Sequence, residues 1–162
     1  MIVISDTSPI NYLVLIDEIE LLPNLFGVVI IPPTVLSELQ RTETPSKVKI
    51  WLATSPKWLE GRAASVIDST ITLGIGESEA ISLAKEINAR LVLIDDKKAR
   101  EAAIERGLQV AGTLNILELA AVKYFLNLPE AFDKLQKTNF RAAQILFDEA
   151  LERDKDRKIV TD

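Results

Sequence analysis

The chain of 162 residues has the length of one compact domain, and a hydrophobic share of 48% is enough for a sizeable core. It contains no Cys and no His, which excludes disulfides, thiolate metal sites, a cysteine nucleophile and an imidazole base. Chemistry is left to carboxylates, lysine, hydroxyls or backbone, and a net charge of -5 disfavours a surface devoted to nucleic acid unless a local patch or a cation supplies positive charge.

The opening "MIVIS" reads as a strand buried on both faces, stopped by the turn-forming "DTSP". "SPINYLVLIDEIELLPNL" carries helical periodicity, with Ser8 placed to cap it and Pro9 at its first position. "FGVVIIPP" is a second short strand, from which Pro33 opens the helix "PTVLSELQR". From "TETPSK" to "SVIDST" the pattern is weakest, with a helix around "KVKIWLA" and a strand around "KWLEGRA". Regular alternation returns with the helix "GIGESEAISLAKEINA", the strand "RLVLID", the helix "DKKAREAAIERG" and the strand "LQVAG".

Strands alternating with helices predict right-handed βαβ units in a three-layer α/β sandwich, a central, mostly parallel sheet flanked by helices. Three more helices are expected in "LNILELAAVKYFL", "PEAFDKLQKT" and "RAAQILFDEALERDK", with Asn127-Leu128-Pro129 as a break and the charged "RDKDRKIVTD" as a frayed end. The N-terminus lacks the basic and apolar regions of a secretory signal, and no apolar run approaches the roughly 20 residues that span a bilayer. A cytoplasmic protein without membrane contact is expected.

In open α/β sheets, sites form beyond the carboxyl ends of the strands. Two strands end on acids there, "MIVIS" on Asp6 and "RLVLI" on Asp95-Asp96. Asp commonly caps the next helix, which would account for either site alone, but one cap needs only one carboxylate and the second strand offers two. Glu77 shares the apolar face of Ala80, Ile81 and Ala84 at the first turn of its helix, where an acid also suits the helix dipole. Glu79 aligns instead with Ser82 and Glu86 and is expected to face water. Glu38 shares a face with Val35 on the helix opened by Pro33.

Taken in order, "DTSPI", the helix start "PTVLSEL", the "GIGESEAI" helix start, "LVLIDDKKAR" and "VAGTLNIL" resemble the PIN domain family. The likeness is to the bacterial and archaeal group that includes relatives of toxin ribonucleases. It covers about residues 1–126, expected to form the nuclease domain, with 127–162 a helical extension packed on it. The resemblance implies a metal-dependent endoribonuclease whose acids cluster at one end of the sheet: Asp6, Glu38, Glu77 and Asp96, with Asp95 beside it as an alternative ligand. It further implies that Thr7 or Ser8, and Thr113, orient metal or phosphate. Where the family often has Asp at its third acid this chain has Glu77, whose carboxylate reaches one methylene further.

Carboxylates crowded in a cleft repel one another until a cation neutralises them, and hard oxygen donors without His or Cys select Mg²⁺ or Mn²⁺ over zinc. Such an ion lowers the pKa of a bound water for phosphodiester hydrolysis and offsets the repulsion between an acidic protein and its anionic substrate. Lys97, Lys98 and Arg100, or Arg41, Lys47 and Lys49, could grip RNA, although charge runs are more often solvated surface. Trp51 and Trp58 fit core or subunit contacts better than base stacking. The apolar "INYLVLI" and "LNILELAAVKYFL" suggest a homodimer, and the family likeness implies a small antitoxin partner. The alternative to the enzyme is a catalytically silent module of the same fold that binds nucleic acid or protein.

Overall fold

The computed structural model describes residues 1–161, which divide by their contacts into two compact units, Met1–Thr113 and the residues from Leu114 onward. The first unit contains β1 (Val3–Ser5), α1 (Thr7–Leu15), α2 (Leu21–Phe26), β2 (Val29–Ile31), α3 (Pro33–Leu39) and α4 (Ser46–Ala53). It continues through β3 (Leu59–Gly61), α5 (Ile75–Glu86), β4 (Leu91–Leu93), α6 (Lys97–Glu105) and β5 (Val110–Ala111), and ends as Thr113 opens α7 (Thr113–Val122). The second holds the rest of α7 with α8 (Leu128–Gln136) and α9 (Gln144–Thr161).

The strands form one parallel five-stranded sheet in the order β3-β2-β1-β4-β5. The chain therefore steps outward from β1 through β2 to β3, then returns to β1's other side for β4 and β5. With right-handed crossovers, this reversal puts α1 to α4 on one face and α5 and α6 on the other. α1, α3 and α4 pack on one another and α5 packs on α6, while α3 and α5 also meet each other.

Side chains alternate across the sheet, so Ile4, Ile30, Val92 and Ile94 turn toward Ile81, Ala84 and Ala99 in one continuous core. Short β-branched strands suit this position because both of their faces are covered. The register of β1 on β4 pairs Ser5 with Leu93, and Asp6 N donates to Leu93 O at 2.9 Å. The two strands thus run out side by side at the point where the strand order reverses.

The expected single helix from Ser8 is two. It begins at Thr7 with Asp6 at the N-cap, ends at Leu15, and resumes at Leu21 after Asp17 takes a left-handed φ of 61°. Ser8 is therefore not the cap, and Pro9 sits at the third helical position. The weakly patterned middle does form the helix α4 and the edge strand β3.

In the second unit, Phe147 packs edge-on against Phe132 and Phe140 at 5.2 and 6.4 Å between ring centroids. Asn127 Oδ1 caps α8 by accepting from Glu130 N at 3.0 Å. The charged tail is not frayed through residues 153–160: α9 continues, and Asp154, 2% exposed, collects Arg157 and Lys158 one turn on. Among the described residues no helix is long and apolar enough to cross a membrane.

Candidate active site

Asp6 lies at the reversal point, six percent exposed, and its side chain caps nothing although the residue stands at the N-cap of α1. Its Oδ1 is buried without a hydrogen-bond partner. Burial pushes its pKa from 3.8 up to about 7; repulsion from Glu77, Glu38 and Asp95 adds to the rise, against lowering by the Thr7 amide. An unsatisfied buried carboxylate destabilises the fold, so local helix chemistry does not account for this one.

Asp95, two residues beyond the end of β4, is saturated. It accepts from Ser8 Oγ at 2.6 Å, from Thr113 N at 2.6 Å and from Thr113 Oγ1 at 2.7 Å. Asp96 is the exposed N-cap of α6, with Oδ2 accepting from Ala99 N at 2.9 Å. The doubled acid therefore has divided labour: one residue caps the helix, and the other is gripped from two helix starts. Both face the cluster, since Asp95 acts on Asp6 and Asp96 helps to raise the pKa of Glu77 behind the larger effect of burial.

Glu77 stands half-buried in the first turn of α5, and Glu38 reaches in from α3 with its side chain 22% exposed. Thr7 Oγ1 donates to Glu38 Oε2. The hydroxyls of Thr7, Ser8 and Thr113 thus orient carboxylates in this structure, and the fully buried Thr113 does so with two bonds.

Two glycines make space for these acids. A Cβ on Gly76 would lie 2.7 Å from Glu38 Oε1, and one on Gly112 would lie 2.8 Å from Asp95 Oδ1 and 2.6 Å from an Arg100 nitrogen. In sequence they look like ordinary punctuation at helix entries. Glu79 is a second surprise: it is buried at 7% exposure and binds Thr34, because α3 packs over the side of α5 expected to face water.

The flanking basic residues separate in behaviour. Lys97 and Lys98 are exposed at the start of α6. Lys47 pairs with Asp17 at 2.7 Å, Lys49 donates to Thr42 O at 3.2 Å, and Arg41 approaches Glu38 to 4.0 Å. Trp51 and Trp58 are half-buried against each other, with centroids 5.9 Å apart.

Among the described residues, no three carboxylates stand close enough in this side-chain arrangement to share one cation. The donor chemistry nonetheless fits a hard divalent ion: five carboxylates, Asp6, Glu38, Glu77, Asp95 and Asp96, gather without sulfur or imidazole, and one buried oxygen lacks any partner.

No curated protein matches the chain at a significant level. Among solved structures it is similar to a PilT N-terminus domain protein, SSO1118, from the hyperthermophilic archaeon Sulfolobus solfataricus P2. That likeness has 24% identity and a TM-score of 0.57, and covers 78% of this chain and 97% of that one. It speaks to the fold, in which the acids stand at the carboxyl end of a parallel sheet. A PIN domain family model matches residues 2–156, and by that near-complete match the chain belongs to the PIN domain family.

Proposed function

We propose that this protein is a metal-dependent endoribonuclease that hydrolyses RNA phosphodiesters at the acidic cluster beyond the carboxyl ends of β1 and β4. PIN domains are generally nucleases and bind nucleic acid. The observation that carries the reading is Asp6, a buried carboxylate with an orphaned oxygen and three neighbouring carboxylates that repel its charge. Such a group is costly to the fold and gains a purpose once a cation joins it.

Asp6, Glu38, Glu77 and Asp96 would hold Mg²⁺ or Mn²⁺, with Asp95 fixed behind them by Ser8 and Thr113. The bound ion supplies a lowered pKa for water and positive charge against the phosphate. The chain's own part is to hold the acids rigidly. Asp6 is anchored by β1, Glu38 by Thr7, and Asp95 by three donors. Lys97 and Lys98, exposed beside Asp96, are placed to meet the anionic strand.

The test is cleavage of structured and single-stranded RNAs with Mg²⁺ or Mn²⁺ by wild type and Asp6→Asn purified alike. Cutting that needs metal and falls at least ~100-fold in the variant supports the reading. Equal cutting by both exposes a contaminating nuclease.

A catalytically silent module is the second reading, favoured by the absence among the described residues of three acids converging on one point. No cutting by wild type on any substrate would put it ahead. Partners follow the same division. Leu119, Val122 and Phe125 leave an apolar stripe exposed along and beyond α7, which supports a homodimer through the second unit. A small antitoxin is the partner expected of a toxin relative.

A further inference from the structure

We propose that Glu79, which lies outside the acidic cluster, is a positioning residue that holds Glu38 in it by tying the first turn of α3 to α5. The inference rests on the metal-site reading for its functional consequence, and on geometry alone for its structural one.

The first turn of a helix presents backbone N–H groups with no partner inside the helix. In α3 the usual remedy is missing, because the N-cap is Pro32 and no side chain of its own segment caps it. Glu79 supplies the acceptor from another element: its Oε2 takes Thr34 Oγ1 at 2.6 Å and Thr34 N at 3.3 Å. A carboxylate there also suits the positive end of the helix dipole. With only 7% of its surface exposed, Glu79 forgoes most of its hydration, and Thr34 is the partner that offsets the loss.

Glu38 lies four residues beyond Thr34, on the same face of α3. Gly76 lies three residues before Glu79, on the same face of α5, and the Glu38 carboxylate lies so near that a Cβ at residue 76 would collide with it, 2.7 Å from Oε1. The two helices are therefore joined by two rungs, Thr34 to Glu79 and Glu38 to Gly76. The first is a bond. The second is only a fit, since Gly76 offers space and no side chain. Removing the bond frees α3 to turn or slide against α5, and the fit that seats Glu38 is lost with it. Thr7 still reaches Glu38, but from a different helix and with no grip on α3's register.

The experiment compares wild type, Glu79→Ala, Glu79→Gln and Thr34→Val by calorimetric titration with Mn²⁺ alone, alongside thermal melts and crystal structures. Glu79→Gln retains an oxygen that can accept from Thr34. Glu79→Ala should weaken Mn²⁺ binding by about tenfold or more while remaining folded at the titration temperature, as loss of a supporting partner does in metal sites. Glu79→Gln should stay near wild type, Thr34→Val should fall between, and Glu38 should leave its place against Gly76 in the Glu79→Ala structure. A merely structural tie would lower the melting temperature and leave both the affinity and the Glu38 carboxylate unmoved, and that result overturns the proposal. If Glu79→Ala does not fold, Thr34→Val decides by the same two readouts. If wild type itself binds no Mn²⁺, the metal-site reading fails separately, and the Glu38 position alone upholds or overturns the tie.

Discussion

Two aspartates are buried among the described residues, and the fold treats them in opposite ways. Asp154, in the second unit, is 2% exposed and is met by Lys158 at 2.9 Å and by Arg157, both one turn along its own helix. Asp6, in the first unit, is 6% exposed, has an oxygen with no donor, and stands among carboxylates. A buried charge that exists for stability is paired by its own neighbourhood. One whose oxygen is left without a donor, among three carboxylates that repel it, is where the proposed cation would act.

The comparison breaks most visibly on pH. Asp6 has a folded-state pKa of about 7 against 3.8 ordinarily, so below pH ~4 it is protonated whether folded or not. Between pH ~4 and ~7 the unfolded chain releases the proton and the folded chain keeps it, and stability falls as pH rises. Above that window the loss is complete, on the order of 4 kcal/mol. Urea unfolding without metal should therefore show wild type losing stability relative to Asp6→Asn from pH 4 to 7.5. Parallel pH profiles for the two would mean that Asp6 is satisfied in solution.

The converse substitution is Asp154→Ala, which removes the acceptor of two cations. Breaking a buried pair costs about 3–5 kcal/mol, and the low end applies because Lys158 is half exposed and can turn to water. Denaturant midpoints should drop accordingly, while Mn²⁺ binding stays as in wild type. An altered metal affinity would show that Asp154 is not purely structural.

The same contrast marks what could be read from sequence. The parallel sheet flanked by helices is recoverable because its central strands are short apolar runs bounded by turn residues, and the acids at two strand ends fall where such sheets place their sites. The order of the strands is recorded by no local pattern. Asp6 as a noncapping acid is not recoverable, since Asp before a helix is an ordinary cap and only burial shows otherwise. Glu79 defeats periodicity: its spacing with Ser82 and Glu86 marks a solvent face, but α3 covers that side, and no local pattern on α5 records it. The tail fails for a related reason. Its charges suggest fraying, yet Asp154 with Arg157 and Lys158 at three and four residues is a helix-stabilising arrangement. The break after α1 rests on Asp17 at φ 61°, a conformation open to any Asp and announced by none.

A cation should erase the distinction between the two aspartates. Mn²⁺ at 100 times its dissociation constant stabilises the folded state by ~2.7 kcal/mol, which for a chain of this length raises the melting temperature by about 5–10 °C. Wild type should show this at pH 7.5 and Asp6→Asn should not. No shift in wild type at millimolar Mn²⁺ would favour the silent module.

The smallest effects sharpen the roles of the doubled acid. Asp95→Asn places an NH₂ or a weaker oxygen against Ser8, Thr113 N and Thr113 Oγ1, and should cost about 1–2 kcal/mol because the buried Thr113 amide loses a charged acceptor. Asp96→Asn should change stability by less than about 0.5 kcal/mol, since Asn caps a helix as well as Asp and can still accept from Ala99 N. If Asp96 is a metal ligand, that near-silent substitution will still shift the Mn²⁺ midpoint of the melt. A variant that keeps both its stability and its metal response would leave Asp96 as a helix cap and pass the ligand role to Asp95, whose bonds to Ser8 and Thr113 would then have to open as metal binds.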